Sequence, residues 1–274
     1  MSASRFLTVN ADDFGFTRDV NAGIVDAHRN GILTSTTLMA NGGAFEDAVR
    51  LASLHPSLDV GCHLVLTGGR SLLPPYGNYP ATVVELVSAL GGRRLRVEDE
   101  LRAQIRRIVD AGITPSHLDT HKHTHLLPPV LGAVARLSRE FGIPWVRRPF
   151  DLPLSCPLEE VPWTTRAAST GMRFLRRRFH DLLQRHGCRT TDHFAGFQLT
   201  GRFQSGQLLK LIRALPEGIT EFMCHPGYCR AELRSARTRL KESRERELEA
   251  LIDPAVRDAL TECGIELRSF ANLP

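Results

Sequence analysis

The sequence predicts an α/β fold, a distorted (β/α) barrel of seven or eight mostly parallel strands in a single domain. Three observations carry this. Short β-branched or apolar runs alternate with helical patterns at short spacing, as parallel strands joined by crossover helices do. A chain of 274 residues is a common size for one such barrel. The residues richest in chemistry, Asp12-Asp13, His63, Asp119 to His121 and His225, fall at or near predicted strand ends, where barrels carry their active sites.

The first strand is the apolar run Phe6 to Val9. Thr17 can cap a helix over about 18–30 whose apolar side is Val20, Ile24, Val25 and Ala27, with Gly31 ending it. Residues 34–40 read as a second strand, 44–54 as a helix before Pro56, and Leu58 to Leu66 as a third strand holding His63. From Thr67 to about 97 the pattern is lost among Gly and Pro, with one helical turn near 82–89, and a loop of that length is commonly a lid or binding loop. A helix over 98–111 precedes a fourth strand at 117–121. Pro128-Pro129 starts a helix to about Glu140, Trp145 to Arg147 is a short fifth strand, and a second long loop spans 149–165. Helix 166–186, a strand near 191–195, helix 204–215, strand 219–224, helices 236–251 and 254–262, and a strand at 265–270 close the order.

Composition narrows the class. With 42% hydrophobic and 24% charged residues the chain is that of a globular protein, and no run approaches the roughly 20 apolar residues of a membrane span. The six cysteines form no C-x-x-C pair, which fits a reduced, cytoplasmic setting, and residues 1–5 lead into the first strand without a signal-peptide pattern. The net charge of +5 comes from arginine-rich helices. Between Arg230 and Arg246 the arginines are interleaved with glutamates, which reads as a solvated face. Arg173, Arg176, Arg177 and Arg178 have no acidic neighbours and are the better candidates for an anionic partner or surface. No aromatic-basic interleaving supports nucleic-acid binding. Monomer and homo-oligomer both stay open.

Adjacent carboxylates repel, and a cation beside Asp12-Asp13 would relieve this and leave one carboxylate free as a base; the same residues also suit a solvated turn. Asp119, His121, His123 and His125 alternate, so an extended chain would put them on one face at about 6.6–7 Å per step, and at most two could reach one ion. A carboxylate with two imidazoles leaves open positions on a divalent ion, the pattern of catalytic rather than structural sites. His63, taken alone, reads more readily as a satisfied core histidine than as a ligand, and His225 also reads as a turn residue before Pro226. Arg147 could hold a substrate oxygen or a site aspartate, or be a surface residue.

The runs NADDFG at 10–15, GILTSTT at 31–37, GCHLVLT at 61–67, HLDTHKHTH at 117–125 and CHPGY at 224–228 resemble the ordered motifs of the YdjC/ChbG family of carbohydrate deacetylases. GRSLLPP at 69–75 is similar to the HpnK members associated with hopanoid biosynthesis. The resemblance implies a distorted barrel that removes acetyl groups from N-acetylated amino sugars, on oligosaccharide or glycolipid, with one divalent ion, Mg2+ or Zn2+. It implies Asp13, His63 and His121 as metal ligands and Asp12 as base. By analogy with related deacetylases it gives His225, as imidazolium, the protonation of the leaving amine. Another barrel metal hydrolase, such as a phosphoesterase or amidohydrolase, and a metal- or sugar-binding protein without turnover are the rival readings.

Overall fold

The computed structural model describes residues 5–74, 77–92, 95–152 and 161–274; the middle of the expected 149–165 loop, 153–160 with Cys156, lies outside them. The elements run β1 (Arg5–Phe14), α1 (Arg18–Asn30), β2 (Ser35–Leu38), α2 (Phe45–Leu54), β3 (Asp59–Leu64), α3 (Val83–Gly91), α4 (Val97–Asp110), β4 (His117–Thr120), α5 (Pro128–Phe141), β5 (Trp145–Val146), α6 (Trp163–Met172), α7 (Arg176–Arg185), β6 (His193–Ala195), α8 (Ser205–Arg213), β7 (Gly218–Cys224), α9 (Ala231–Ser235), α10 (Glu242–Ile252), α11 (Pro254–Glu262) and β8 (Ile265–Leu267).

The strands form one sheet in the order β5-β4-β3-β2-β1-β7-β6, with β8 paired to the start of β1. Every pairing between these strands is parallel, as the alternation with helices requires. The sheet curls until its edges approach. Isolated parallel bridges join Trp145 to Arg189 and Asp151 to Phe194, and Leu152 N donates to Phe194 O at 2.7 Å. The expected distorted barrel is what forms, and one large apolar cluster fills it and the layer beneath the helices.

Three local readings change. The helix expected over 166–186 is two helices joined by a 3-10 turn at Arg173–Leu175. The helix expected from 236 begins at 242, after the short α9. The turn near 82–89 is the full helix α3, whose first turn is closed by Glu85 N donating to Thr82 Oγ1 at 3.2 Å.

Helix α1 fixes the chain after β7. Thr17 Oγ1 accepts from Val20 N at 3.2 Å, and a Cβ on Gly23 would lie 2.5 Å from Gly227 Cα, so the backbone beyond His225 rests directly on that glycine. Gly23→Ala is therefore expected to push the 225–228 turn outward and to cost roughly 1–3 kcal/mol, the usual penalty of overpacking, measured as a lowered urea midpoint.

Candidate active site

Consecutive residues of a regular strand point to opposite faces. Asp12 and Asp13 escape this because the pairing of β1 with β2 shifts register between Ala11 and Phe14, and Asp13 sits at φ 71°, in the left-handed region. Such bulges re-aim side chains near sites. Both aspartates are buried, and β3, β4 and β7 deliver His63, Asp119 and His225 to the same end of the barrel.

Asp13 Oδ1, His63 Nε2 and His121 Nδ1 form a triangle with edges of 3.4, 3.4 and 3.3 Å. Donors about 2.0–2.1 Å from one tetrahedral centre stand about 3.3–3.4 Å apart, so the triangle fits a divalent ion. Asp13 Oδ1 is buried and has no hydrogen-bond partner, while Oδ2 accepts from Arg244 Nη2 at 2.5 Å. An unpartnered buried carboxylate oxygen facing two imidazole nitrogens is what a cation would satisfy. His63 Nδ1 donates to Asp119 Oδ1 at 2.6 Å, which leaves Nε2 facing the triangle, and Thr37 Oγ1 donates to Asp119 Oδ2 at 3.1 Å. Only His121, with its side chain 28% exposed, opens toward solvent. A second group, Asp12, His63 and Asp119, is also close-set, but Arg147 already holds its carboxylates.

Arg147, 1% exposed, lies among three carboxylates. Nη1 and Nη2 donate to Asp12 Oδ2 and Oδ1 at 2.8 and 2.7 Å, Nε donates to Glu221 Oε1 at 2.6 Å, and Nη1 is 2.6 Å from Asp119 Oδ2. Of the two readings of Arg147, the structure takes the buried one. Arg244 and Glu247 correct the solvated reading of the 230–246 helix: both are buried, and Glu247 accepts from the backbone N–H of His225 and of Gly201, each at 2.6 Å.

These contacts set the charges. Burial pushes Asp13 up, but Arg244 and the two histidines hold it well below the usual carboxylate range. Burial raises Asp12, and Arg147, whose single charge is shared with Asp119 and Glu221, does not fully offset it. Burial likewise lifts Glu221 and Glu247 to about 7. Burial would lower His63, yet Asp119, with Asp12 and Asp13 nearby, holds it at about 9. His225 Nε2 lies 3.9 Å from Asp12 Oδ2, and its Nδ1 is buried without a partner. Burial pushes His225 down to about 3, so its ring is neutral in the resting site.

The extended chain that would set Asp119, His121, His123 and His125 on one face is not formed. The strand ends at Thr120, and His121–Leu126 turns as a 3-10 segment with Lys122 and His123 at φ 55° and 51°. Thr120 Oγ1 closes the turn: it accepts from His125 N at 3.0 Å and donates to His125 Nδ1 at 2.6 Å, while His125 Nε2 donates to Arg147 O at 3.0 Å. His125 thus braces the backbone of Arg147. His123 turns away among Phe194 and Phe197, at ring separations of 5.9 and 5.7 Å.

The fit to an ion gives a proton-linkage prediction. A metal bound at His63 Nε2 would have to displace the proton held there below about 9. Apparent affinity is expected to rise about tenfold per pH unit between 7 and 9 and then flatten. Calorimetric titration in buffers of different ionisation enthalpy reads the released proton. In the metal-free protein the same proton stabilises the fold fully below the ordinary 6.5, and that contribution is lost as pH rises through about 9.

Known proteins bear on this geometry. The family profile described as YdjC-like protein matches residues 6–262. A carbohydrate deacetylase of Geobacillus stearothermophilus is 34% identical over 97% of both chains. A chitooligosaccharide deacetylase of Serratia marcescens is 31% identical over 98% of this chain and 99% of its own. A solved structure from Enterococcus faecalis V583, provisionally named for cellobiose-phosphate cleavage, superposes with a TM-score of 0.77 at 25% identity over 98% of each chain.

Proposed function

The chain belongs to the YdjC-like protein family, and from that premise we propose that it is a metal-dependent hydrolase removing the acetyl group from an N-acetylated amino sugar, giving free amine and acetate. The observation that carries the reading is the Asp13, His63 and His121 triangle, with its unpartnered carboxylate oxygen, beside a second aspartate gripped by Arg147. The names of the relatives support the substrate class. We assign the whole of 1–274 to one domain, and keep the cytoplasmic setting on the free thiols of Cys62, Cys188, Cys224, Cys229 and Cys263.

In this reading Asp13, His63 and His121 hold one divalent ion. Two imidazoles and the triangle's edges favour Zn2+ over Mg2+. When bound, the ion supplies Lewis-acid polarisation of the acetyl carbonyl and acidifies the attacking water. Asp12 is the base. Its raised affinity for protons makes it a better acceptor than an exposed aspartate, and the bidentate grip of Arg147 fixes its orientation. His225 enters neutral and is the next acceptor, 3.9 Å from Asp12 Oδ2. Protonated there, it hands the proton to the departing nitrogen, which would otherwise leave as a strongly basic amide anion. Glu247 anchors His225 by its backbone rather than its ring, leaving the ring's nitrogens for this transfer.

The test is acetate release from mono- and oligosaccharides of N-acetylglucosamine and from a lipid-linked N-acetyl sugar, with metal-free protein and after Zn2+ or Mg2+ is restored. Release that depends on the ion is the expected result. A single bound ion with turnover of phosphate esters but not of acetamides would overturn it.

A further inference from the structure

We propose that the helical segment from Trp163 to Arg178 is a docking face for the surface of an anionic lipid bilayer, an activity beyond the hydrolytic reading above. Among the described residues, Trp163 and Phe174 are large apolar side chains left 78% and 86% exposed, and Leu175 is 41% exposed. Met172, Arg173, Leu175 and Arg176 all keep right-handed helical backbone angles, so α6 and α7 continue into one another through the 3-10 turn. Eleven residues, the last two in the 3-10 turn, make a little over three helical turns, which brings Trp163 and Phe174 onto one side of the segment, within about a sixth of a turn of each other. Arg177 and Arg178 lie within about a quarter-turn of Phe174 and Arg173 about a third of a turn away. All three are exposed and make no ion pair with any described residue. Asp181 is the only acidic residue from 161 to 187.

An aromatic pair edged by unpaired arginines matches a bilayer interface, where rings enter the headgroup boundary and guanidinium groups meet anionic lipid. A second copy of the chain fits less well, because a symmetric contact here would set arginine against arginine. No described helix is long and apolar enough to cross a membrane, so the contact is superficial. The face also lies at the site's end of the barrel. Phe179 of α7 packs on Phe150 and His125 at ring separations of 5.2 and 5.6 Å, and Gln198 Nε2, just beyond β6, donates to Ser169 Oγ of α6 at 3.2 Å. Docking would therefore bring the end of the barrel that carries the aspartate–histidine site close to the bilayer, within reach of sugars anchored in lipid. That consequence alone rests on the deacetylase reading.

Flotation of the full chain with vesicles tests the docking without any turnover. Phosphatidylglycerol-rich vesicles should retain the protein and pure phosphatidylcholine vesicles should not, with retention falling as salt rises. The fluorescence of Trp163 should shift to the blue on binding. W163S/F174S should weaken retention by at least about tenfold, and R173Q/R177Q/R178Q on the order of a hundredfold. Both variants should unfold at the same urea concentration as the parent, since the altered side chains lie in solvent. Failure of anionic vesicles to retain the protein would overturn the proposal. So would equal retention of both variants, or a dimer in vesicle-free buffer that W163S/F174S dissociates.

Discussion

Arg147→Met is expected to be the most destabilising single change in the site, costing about 3–5 kcal/mol. Methionine fills most of the volume, so the loss is electrostatic. It leaves Asp12, Asp119 and Glu221, all buried, without the guanidinium that each now contacts. An uncompensated buried carboxylate is far more costly than a missing surface pair, and here Asp12 and Glu221 lose their guanidinium at once while Asp119 keeps only His63 as a positive partner. The deficit should shrink as pH falls, because protonation removes the charges that Arg147 now balances. Asp119, held well below the usual range by Arg147 and His63 despite burial, would titrate nearer neutrality in the variant. Urea unfolding at pH 5.0 and 8.0 reads this directly, and equal deficits at the two pH values would mean that packing, not charge, is what Arg147 contributes. Arg147→Lys should fall between the two proteins, since an ammonium keeps the charge but cannot offer the two-pronged grip on Asp12.

Arg147 also marks the boundary of what the sequence makes legible. Alternating strand and helix patterns depend on local residues, so the barrel and the strand ends carrying Asp13, His63 and Asp119 can be read directly. The partners that neutralise those residues arrive from distant positions. Arg244 sits in a helix whose mixed charges look solvated; its buried face, Arg244, Glu247, Leu248 and Leu251, has helical spacing, but two of those four residues are charged, so hydropathy does not mark it. Glu221 does leave a trace, as a charged residue inside the apolar run of β7, a position that a strand tolerates only when the charge is paired. The histidine-rich turn was misleading for the opposite reason. Its alternation is genuine, but Thr120 offers His125 two hydrogen bonds that an extended strand would forgo, and these fold the chain back on itself. The same turn lets His121 face His63 and Asp13 while His125 reaches Arg147.

Asp12→Asn is expected to lower kcat by roughly a thousandfold while leaving metal affinity unchanged, because general-base catalysis contributes about 10²–10⁴ and none of the triangle's donor atoms is touched. The amide keeps the shape of Asp12 and one acceptor for Arg147, so the fold should survive with a small loss of stability. The contrast is Asp13→Asn, which weakens the triangle itself and should reduce metal affinity and rate together. In the unmodified enzyme the acidic limb of kcat/KM should lie above the ordinary aspartate value of 3.8, because Asp12 must be unprotonated to act and burial raises it. Activity is therefore lost as pH falls through that limb, and in Asp12→Asn the limb should disappear from whatever rate remains. Metal content is measured beside each rate, because the proposed base and the proposed ligand lie next to each other in β1. An Asp12→Asn protein that has lost its ion would make Asp12 a ligand. One that keeps both ion and rate would remove it from the chemistry and leave the proton to another group, with Glu221 and Glu247, both buried and lifted to about 7, as candidates.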